Sequence, residues 1–466
     1  MTRENALTLA ADAMDSGAFL QLLQRRVAMP TESDQGHAPP ALGAYLQDEI
    51  MPWLAALGFA GEVLPNPQDG GGPFLVARRI EDPRLPTVLT YGHGDVVSGQ
   101  SAHWRAGLQP WAVTVEGDKW YGRGTADNKG QHTINLLGLQ AALQARGGRL
   151  GYNMTVLLET GEEAGSPGLR TFCIEQAERL RADVLLACDG PRLQAQVPTL
   201  FLGSRGAINF TLRVNARERA HHSGNWGGVL RNPATRIAHA LACLVDAQGR
   251  LLVAALRPPP ISAAVRLAVR DLPVGQDADD PVMDPGWGEP GLSAAEKLLA
   301  WNTLEVLALG GGSADRPVNA IPGRAWAHAQ LRFVVGTDAE HLVAHLRAHL
   351  DRHGFDDVAI ELGMVGAASR LDPDSPWVRW AQDSIMRSSG QAPHVLPNLA
   401  GTLPNDIFAD VLGLPTLWVP HSYPACAQHA PNEHLLGSVA RQGLQIMAGL
   451  YWDLGDAQTA PWPPIQ

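Results

Sequence analysis

Lysine is scarce in this sequence. Only three lysines, Lys119, Lys129 and Lys297, occur among 466 residues, so arginine supplies nearly all of the positive charge. Charged residues make up 18% of the chain, and the net charge is -11 at pH 7. An acidic surface with little lysine repels phosphate groups. The composition therefore argues against a nucleic acid or an anionic membrane as a partner.

Cysteines and long apolar runs are also few. The four cysteines are scattered, and none stands in a CxxC or Cys/His finger pattern, which argues against a disulfide scaffold and a zinc finger. Glu4, Asp12 and Asp15 interrupt the apolar residues of the N-terminus, as they would not in a signal peptide. No apolar run approaches the roughly 18 residues of a membrane-spanning helix. We therefore expect a cytoplasmic protein with no membrane partner.

Three familiar nucleotide-binding and catalytic motifs are missing. The Gly-rich segment 122–130 begins GxGxxD, so the dinucleotide-binding fingerprint GxGxxG fails at its third glycine. The sequence contains neither a GxSxG nucleophile elbow nor a GxxxxGK(S/T) phosphate-binding loop. These absences disfavour dinucleotide, serine-nucleophile and nucleoside-triphosphate chemistry.

The sequence does contain the pattern of an α/β protein, and 45% of its residues are apolar. Four short apolar runs have the length of buried strands in a parallel sheet: TVLTY (87–91), MTVLLE (154–159), DVLLAC (183–188) and PTLWVP (415–420). Helical patterns at 129–146 and 167–181 separate the first three. This alternation predicts a large domain with a mostly parallel sheet flanked by helices.

The middle of the chain follows a different pattern. Strand and helix patterns alternate there in this order: strand 207–216, helix 232–246, strand 325–335, helix 338–353 and strand 357–364. This order predicts a small α+β domain with helices on one face of its sheet. A proline-rich stretch at about 256–290 interrupts it. We therefore predict a discontinuous large domain, 1–207 and 372–466, with an inserted domain at 208–371.

Acidic and imidazole side chains follow each of the four buried runs. They are His93 and Asp95 after the first, Glu162 and Glu163 after the second, Asp189 after the third, and His421 and then His429 after the fourth. Asp127 lies in the Gly-rich loop between the first two runs. Because open α/β sheets bind ligands at the carboxyl ends of their strands, these side chains are predicted to converge.

Several converging carboxylates repel one another unless a cation lies between them. Carboxylates combined with imidazoles suit zinc, manganese or cobalt. Two such ions about 3.5–4 Å apart can make a hydroxide from water near neutral pH. The adjacent side chains of Glu162 and Glu163 cannot both point the same way, so one is expected to bind metal while the other moves a proton.

Seven motifs occur in order along nearly the whole chain: GHGDVV (92–97), YGRGTADNKG (121–130), ETGEEAGSPGL (159–169), ACDG (187–190), HSG (222–224), NAIPGR (319–324) and HAPNE (429–433). Together they resemble the M20 metallopeptidases, and within them the cytosolic nonspecific dipeptidases and carnosinases. The resemblance implies a hydrolase with two divalent metal ions per subunit, zinc being favoured over manganese and cobalt.

The resemblance also implies a role for each matching residue of the large domain. The implied metal ligands are His93 and Asp189 for one ion, Glu163 and His429 for the other, and Asp127, which bridges both from a cis peptide bond to Asn128. Glu162 is implied as the general base that passes a proton to the leaving amine. Asp95 is implied to orient His93 by a hydrogen bond.

For the inserted domain the resemblance implies a lid that also forms a homodimer. His222 would polarise the scissile carbonyl in the neighbouring subunit. Asn319 and Arg332 would hold the backbone and the C-terminal carboxylate of the substrate. Thr402, in AGTLPND, falls where the family has a hydroxyl that contacts the substrate, although Ala400 departs from the pattern of that turn.

Three functions follow from this resemblance. The favoured one is hydrolysis of a peptide bond next to a free carboxylate, by a dipeptidase or a carboxypeptidase acting on small peptides. The alternative is an N-acyl-amino-acid deacylase, which shares the mechanism and takes an N-acyl amino acid. A non-catalytic binding protein of the same fold is disfavoured, because every implied metal ligand and the implied base are present.

Overall fold

The four apolar runs lie side by side in the large sheet of the computed structural model, which describes residues 2–33, 38–277, 280–456 and 458–462. Their strands are neighbours in this order: Asn153–Glu159, Thr87–His93, Val184–Ala187 and Thr416–Trp418. All pairings between these neighbours are parallel, so their carboxyl ends lie at the same edge of the sheet. The predicted parallel arrangement is thereby confirmed for the centre of the sheet.

Four further strands extend this centre and make the complete sheet mixed. Phe74–Arg79 and then Ala60–Leu64 lie beyond Asn153–Glu159, and both of the added pairings are antiparallel. On the other side Thr199–Phe201 pairs antiparallel with Thr416–Trp418, and His394–Leu396 pairs parallel with Thr199–Phe201. The sheet therefore has eight strands, of which the central four carry the predicted side chains at their ends.

Helices flank this sheet, as the sequence pattern predicts. The α-helices of this part of the chain are Arg3–Asp15, Ala18–Val27, Pro40–Ala44, Met51–Ala56, Lys129–Ala145, Leu169–Glu175, Ala177–Leu180, Pro376–Ser389 and Gly437–Leu454. Shorter 3-10 or π turns lie at Tyr45–Ile50, Ser101–His103, Glu162–Ala164, Ile407–Val411 and Pro424–Cys426. The predicted helix at 129–146 is thus confirmed, while that at 167–181 is divided into two short helices.

The helix Lys129–Ala145 is buried along almost its whole length and packs against Gly437–Leu454. At Gly138 a Cβ atom would lie only 2.5 Å from Cβ of Met447, so the close approach of the two helices requires glycine there. Because the helix begins immediately after Asp127 and Asn128, this packing fixes the end of the Gly-rich loop at the sheet.

A second sheet forms the core of the inserted part. Its four antiparallel strands lie in the order Thr303–Gly310, Arg324–Phe333, Gly206–Asn215 and Ala359–Gly366. Alternate residues of the two central strands, such as Phe210 and Leu331, are buried with the helices Pro233–Leu244 and Leu342–Arg352. The predicted β-α-β-α-β pattern is therefore confirmed, with one additional strand.

The proline-rich stretch contains short helices rather than an extended loop. They are Ala254–Leu256, which is a 3-10 turn at the start of the stretch, and Ala263–Val269, and the helix Ala294–Ala300 follows the stretch. The helix Ala294–Ala300 begins with a capping box, in which Ser293 and Glu296 bond each other's backbone N–H groups. Further elements of this part include the short helix Ser223–Trp226, a two-stranded ladder of His221–His222 with Ala320–Ile321, and the short strand Ser369–Arg370.

The chain divides into two units by its internal packing. The first comprises the chain up to Gly203, Leu371–Leu396 and the chain from Asn405 onward, and the second comprises Ser204–Arg370 and Pro397–Pro404. The first unit also contains a small sheet of His434–Leu436, Lys119–Tyr121 and Thr114–Glu116. Among the described residues, no helix combines the length and the apolar character needed to cross a membrane.

Candidate metal centre

Two groups of ligand-type side chains converge at the carboxyl edge of the large sheet. One contains His93, Asp127 and Asp189, and the other contains Asp127, Glu163 and His429. Within each group the potential ligand atoms lie within 4.8 Å of one another. Asp127 belongs to both groups, so a single carboxylate joins them.

The distances show how Asp127 is shared. Its Oδ1 lies 3.0 Å from Nε2 of His93, and its Oδ2 lies 3.1 Å from Nε2 of His429. The same nitrogen of His429 lies 2.9 Å from Oε2 of Glu163, and Nε2 of His93 lies 3.8 Å from Oδ2 of Asp189. Each carboxylate oxygen of Asp127 therefore faces a different imidazole and a different second carboxylate, which is the arrangement that two bridged cations require.

Glu433 holds the loop that carries Asp127. Its carboxylate accepts hydrogen bonds from the backbone N–H groups of Gly124, Ala126 and Asp127, at 2.9–3.1 Å, and from Nη1 of Arg123 at 2.7 Å. Both charged side chains are buried, and breaking a buried pair of this kind typically costs about 3–5 kcal/mol. Since Glu433 follows His429 by four residues, one segment supplies a candidate ligand and fixes the position of another.

Asp95 is placed to orient both sides of the centre. Its Oδ1 lies 3.4 Å from Nδ1 of His93, and that nitrogen lies 3.0 Å from the Asp95 backbone oxygen. The same carboxylate accepts hydrogen bonds from the backbone N–H of Glu162 at 3.2 Å and of Glu163 at 3.1 Å, and from Oγ of Ser33 at 2.7 Å. Asp95 thus positions the imidazole of His93 and also the turn that presents the two glutamates. The family resemblance implies the contact with His93 but not the contact with the turn.

The two adjacent glutamates lie in different surroundings. The Glu163 side chain is 3% exposed and contacts His429, whereas that of Glu162 is 19% exposed. Oε2 of Glu162 is 4.0 Å from Nε2 of His93, and Glu162 belongs to neither ligand group. The geometry therefore separates a buried carboxylate beside an imidazole from a more accessible one that remains free to exchange a proton.

Burial and mutual repulsion raise the pKa of most carboxyls at the centre. Burial, together with the charge of Asp127, raises the pKa of Glu163 to about 7 and that of Asp189 to about 6. Burial also raises the pKa of Glu162 well above its ordinary value. For Asp127 burial acts in the same direction, but hydrogen bonds from His429 and His93 lower its pKa overall.

The donor set fits a pair of divalent cations. Oδ2 of Asp189 is buried at the centre and has no hydrogen-bond partner among the described residues, as expected for an oxygen whose partner is a metal ion. Two imidazoles and three carboxylates are the ligands that zinc, manganese and cobalt accept. The Asp127–Asn128 peptide bond is cis, as the resemblance implies.

Two residues near the centre differ from what the strand-end pattern suggests. His421, which also follows the fourth run, is buried away from the ligand groups, with its Nε2 3.5 Å from Sγ of Cys188. Gln428 belongs to none of the sequence motifs, yet its Nε2 donates a hydrogen bond to Oδ2 of Asp127. A lone glutamine before a histidine gives no signal in the sequence, because its contact depends on how the loop folds back.

The remaining sequence-predicted residues form two pairs within the second unit. His222 lies opposite Ala320 in the short ladder, and the backbone oxygen of Asn319 accepts from the N–H that follows His222, at 2.8 Å. Arg332 donates from Nη1 to Oγ1 of Thr402 at 2.8 Å. The Thr402 hydroxyl donates in turn to the backbone oxygen of Arg205 at 2.9 Å, so it holds Arg332 in place.

The sequence is similar to that of known peptidases along most of its length. Residues 89–453, well over half of the chain, match the profile of peptidase family M20/M25/M40. The Beta-Ala-His dipeptidase of Rattus norvegicus is 26% identical over 433 residues, which cover 87% of this chain and 83% of that protein. The match therefore includes both units rather than the sheet edge alone.

Solved structures show the same fold. Human carnosine dipeptidase 1 superposes with a TM-score of 0.76 at 21% identity, over 98% of this chain and 99% of that chain. An M20 family metallo-carboxypeptidase from Sulfolobus solfataricus superposes with a TM-score of 0.78 at 23% identity, over 94% of this chain and 99% of that chain. The predicted fold class, including an insertion in a discontinuous α/β domain, is thereby confirmed.

Proposed function

This chain belongs to peptidase family M20/M25/M40 and is a metal-dependent hydrolase of peptide bonds, and we propose that it acts on dipeptides at the centre around Asp127. The observation that carries the proposal is the sharing of Asp127 between two ligand groups. Names of relatives support the substrate class, since the rat protein is a Beta-Ala-His dipeptidase and one from Corynebacterium striatum is a Cysteinylglycine-S-conjugate dipeptidase.

We propose that five residues hold two divalent cations: His93 and Asp189 for one, Glu163 and His429 for the other, and Asp127 for both. When bound, the cations would polarise the carbonyl and activate a water. Glu162, outside both groups, would accept the proton of the attacking water and deliver it to the leaving amine. Asp95 would keep His93 in the ligating orientation.

We propose zinc as the native ion, with manganese or cobalt as substitutes. We propose that residues 1–207 and 372–466 form the catalytic domain, and that 208–371 form a lid and dimerisation domain. A cytoplasmic location agrees with four cysteines that are all free, three of them buried.

A substrate panel tests the dipeptidase proposal against the deacylase alternative. We expect dipeptides such as β-alanyl-histidine to have a kcat/KM at least about tenfold higher than N-acetyl amino acids carrying the same C-terminal residue. The reason is that a site built for a dipeptide leaves the groups that bind its free amine unpaired when an acetyl replaces the first residue. Released amino acid is measured by chromatography, with the chelated protein as a control. Faster hydrolysis of the N-acetyl amino acids would establish the deacylase instead.

We propose that the protein forms a homodimer through an edge strand of its second unit. Its edge strand Ala359–Gly366 exposes Leu362 (54%), Met364 (47%) and Val365 (57%). An edge strand with exposed apolar side chains suits pairing with a second copy. In such a dimer His222 of one subunit would donate a hydrogen bond to the carbonyl oxygen of a substrate held by the other.

Subunit mixing tests the role of His222. His222→Ala is expected to lower kcat by about 10²–10³-fold, as loss of one such donor usually does. Mixing it with inactive Glu162→Gln should restore part of the wild-type rate, because each mixed dimer regains one intact centre. The rate is measured after subunit exchange, with mass spectrometry confirming heterodimers. Verified heterodimers without activity, or an active monomer, would contradict action across the dimer.

A further inference from the structure

One helix of the second unit carries a regular row of histidines. Four of the 16 histidines of the chain lie in the segment 341–353, whose sequence is HLVAHLRAHLDRH. The helix Leu342–Arg352 spans this segment. Because residues four apart are neighbours on one side of an α-helix, the four imidazoles form a row along its axis. We call this row the histidine ladder; its members are His341, His345, His349 and His353.

The ladder runs beside the apolar stripe of the same helix. Leu342, Leu346 and Leu350 are buried in the core of the second unit, and each follows a histidine of the ladder by one residue. His341 and His353, at the two ends of the ladder, are exposed. An amphipathic helix needs only the apolar stripe to bind its sheet. Packing therefore accounts for the leucines but not for the exposed members of the ladder.

At the N-terminal end of the ladder Asp338 joins the first two imidazoles. Its Oδ1 lies 2.7 Å from Nδ1 of His341, and its Oδ2 lies 2.8 Å from Nε2 of His345. The two ring centroids are 6.2 Å apart. Each oxygen of one carboxylate thus faces a different imidazole, as at Asp127 of the metal centre. The hydrogen bond to Asp338 raises the pKa of His341, so a cation that binds here displaces a proton.

At the C-terminal end the ring of His349 has the orientation of a metal ligand. Its Nε2 donates to the backbone oxygen of Cys243 at 2.7 Å, and imidazoles that bind metal usually donate their other N–H in this way. His349 is only 6% exposed, and its Nδ1 is buried with no hydrogen-bond partner among the described residues. Burial lowers the pKa of His349, so Nδ1 carries an unpaired lone pair. The ring of His353 lies beside it, with centroids 4.5 Å apart, and a shared ion would give Nδ1 its missing partner.

We propose that the histidine ladder binds two divalent transition-metal ions, one between Asp338, His341 and His345 and one between His349 and His353. Imidazole nitrogens suit zinc, copper and nickel, whereas magnesium and calcium prefer oxygen ligands. Histidines four residues apart on one helix face are also the pair that holds zinc in an HExxH helix. All five residues belong to the second unit and lie outside the candidate metal centre. The inference therefore does not depend on the proposed function.

Equilibrium dialysis of the full chain against zinc tests the ladder by counting ions. The wild-type protein should bind two more zinc ions per chain than the triple variant His341→Gln/His345→Gln/His353→Gln. The centre around Asp127 is the same in both proteins, so the difference reports the ladder alone. His341→Gln/His345→Gln should lose one ion and His353→Gln the other, because loss of a ligand weakens binding at least about tenfold. Metal analysis of the dialysed protein gives the counts.

Two controls separate the ladder from histidines in general. His328→Gln changes an exposed histidine of the second unit that lies 2.7 Å from Oγ1 of Thr211, and it should keep the wild-type count. Dialysis against magnesium should give equal counts for the wild type and the triple variant. Circular dichroism checks that each variant is folded. Equal zinc counts in the wild type and the folded triple variant overturn the ladder, and an unchanged count in His341→Gln/His345→Gln or in His353→Gln overturns the position at that end.

Discussion

Replacing Glu162 by glutamine is expected to lower kcat by about 10²–10⁴-fold while the metal content remains that of the wild type. Glutamine keeps the size of the side chain but cannot accept a proton from water. Glu162 lies outside both ligand groups, so its replacement leaves the proposed ligands in place. Steady-state kinetics and metal analysis of the same preparation measure the two quantities together.

Two other variants make this result interpretable. Glu163→Gln removes a carboxylate that contacts His429 and should lower metal content as well as activity. Glu116→Gln changes an exposed glutamate that pairs with Arg105 at the surface, and it should leave both quantities unchanged. A Glu162→Gln variant with near wild-type kcat, or one that has lost its metal, would show that the roles of the two glutamates are assigned wrongly.

Removal of divalent metal is expected to abolish hydrolysis, and addition of zinc, manganese or cobalt should restore it. The cations would polarise the carbonyl and activate the attacking water, and the side chains around Asp127 alone do not supply this chemistry. Activity is measured after prolonged chelation and dialysis, and again after stepwise addition of each ion. Rates that rise until two ions are bound per chain would agree with a dinuclear centre.

The control for this experiment is to measure whether the metal-free protein remains folded. Circular dichroism of the metal-free protein should show whether the loss of activity precedes the loss of structure. Magnesium should restore less activity than zinc, because imidazole ligands suit zinc better than magnesium. Full hydrolysis by protein that contains no metal would contradict the assignment of the centre.

The centre of the large sheet could be predicted because its physical signal is local. Strands buried on both faces must be short and apolar, and those at 87–93 and 153–159 stand out from their surroundings for this reason. Their carboxyl ends share an edge, so His93 and Glu163 could be predicted to approach each other before any contact was known. The position of Asp127 between the two ligand groups could be anticipated only from the family resemblance, since a Gly-rich loop alone does not fix a side chain.

Other features depend on contacts between distant segments and leave no local pattern. The role of the Glu433 carboxylate cannot be predicted from the sequence, because it accepts hydrogen bonds from backbone N–H groups at and before Asp127, more than three hundred residues earlier. The outer strands, such as Ala60–Leu64 with its exposed residues, lack the apolar run that marks the central ones. Arg205 lies just before the strand predicted at 207–216, and the sequence gives no sign that its side chain will be buried.

The candidate metal ligands come from five separate stretches of chain, from His93 to His429, and this has a consequence for folding as well as for catalysis. Ions that bind only the native arrangement would raise its free energy of unfolding, by about 2.7 kcal/mol when the free ion is at 100 times its dissociation constant. The first unit, which contains all five of these residues, would then melt at a temperature set by metal supply. Metal starvation in a cell would therefore reduce the abundance of the enzyme through proteolysis, in addition to its activity.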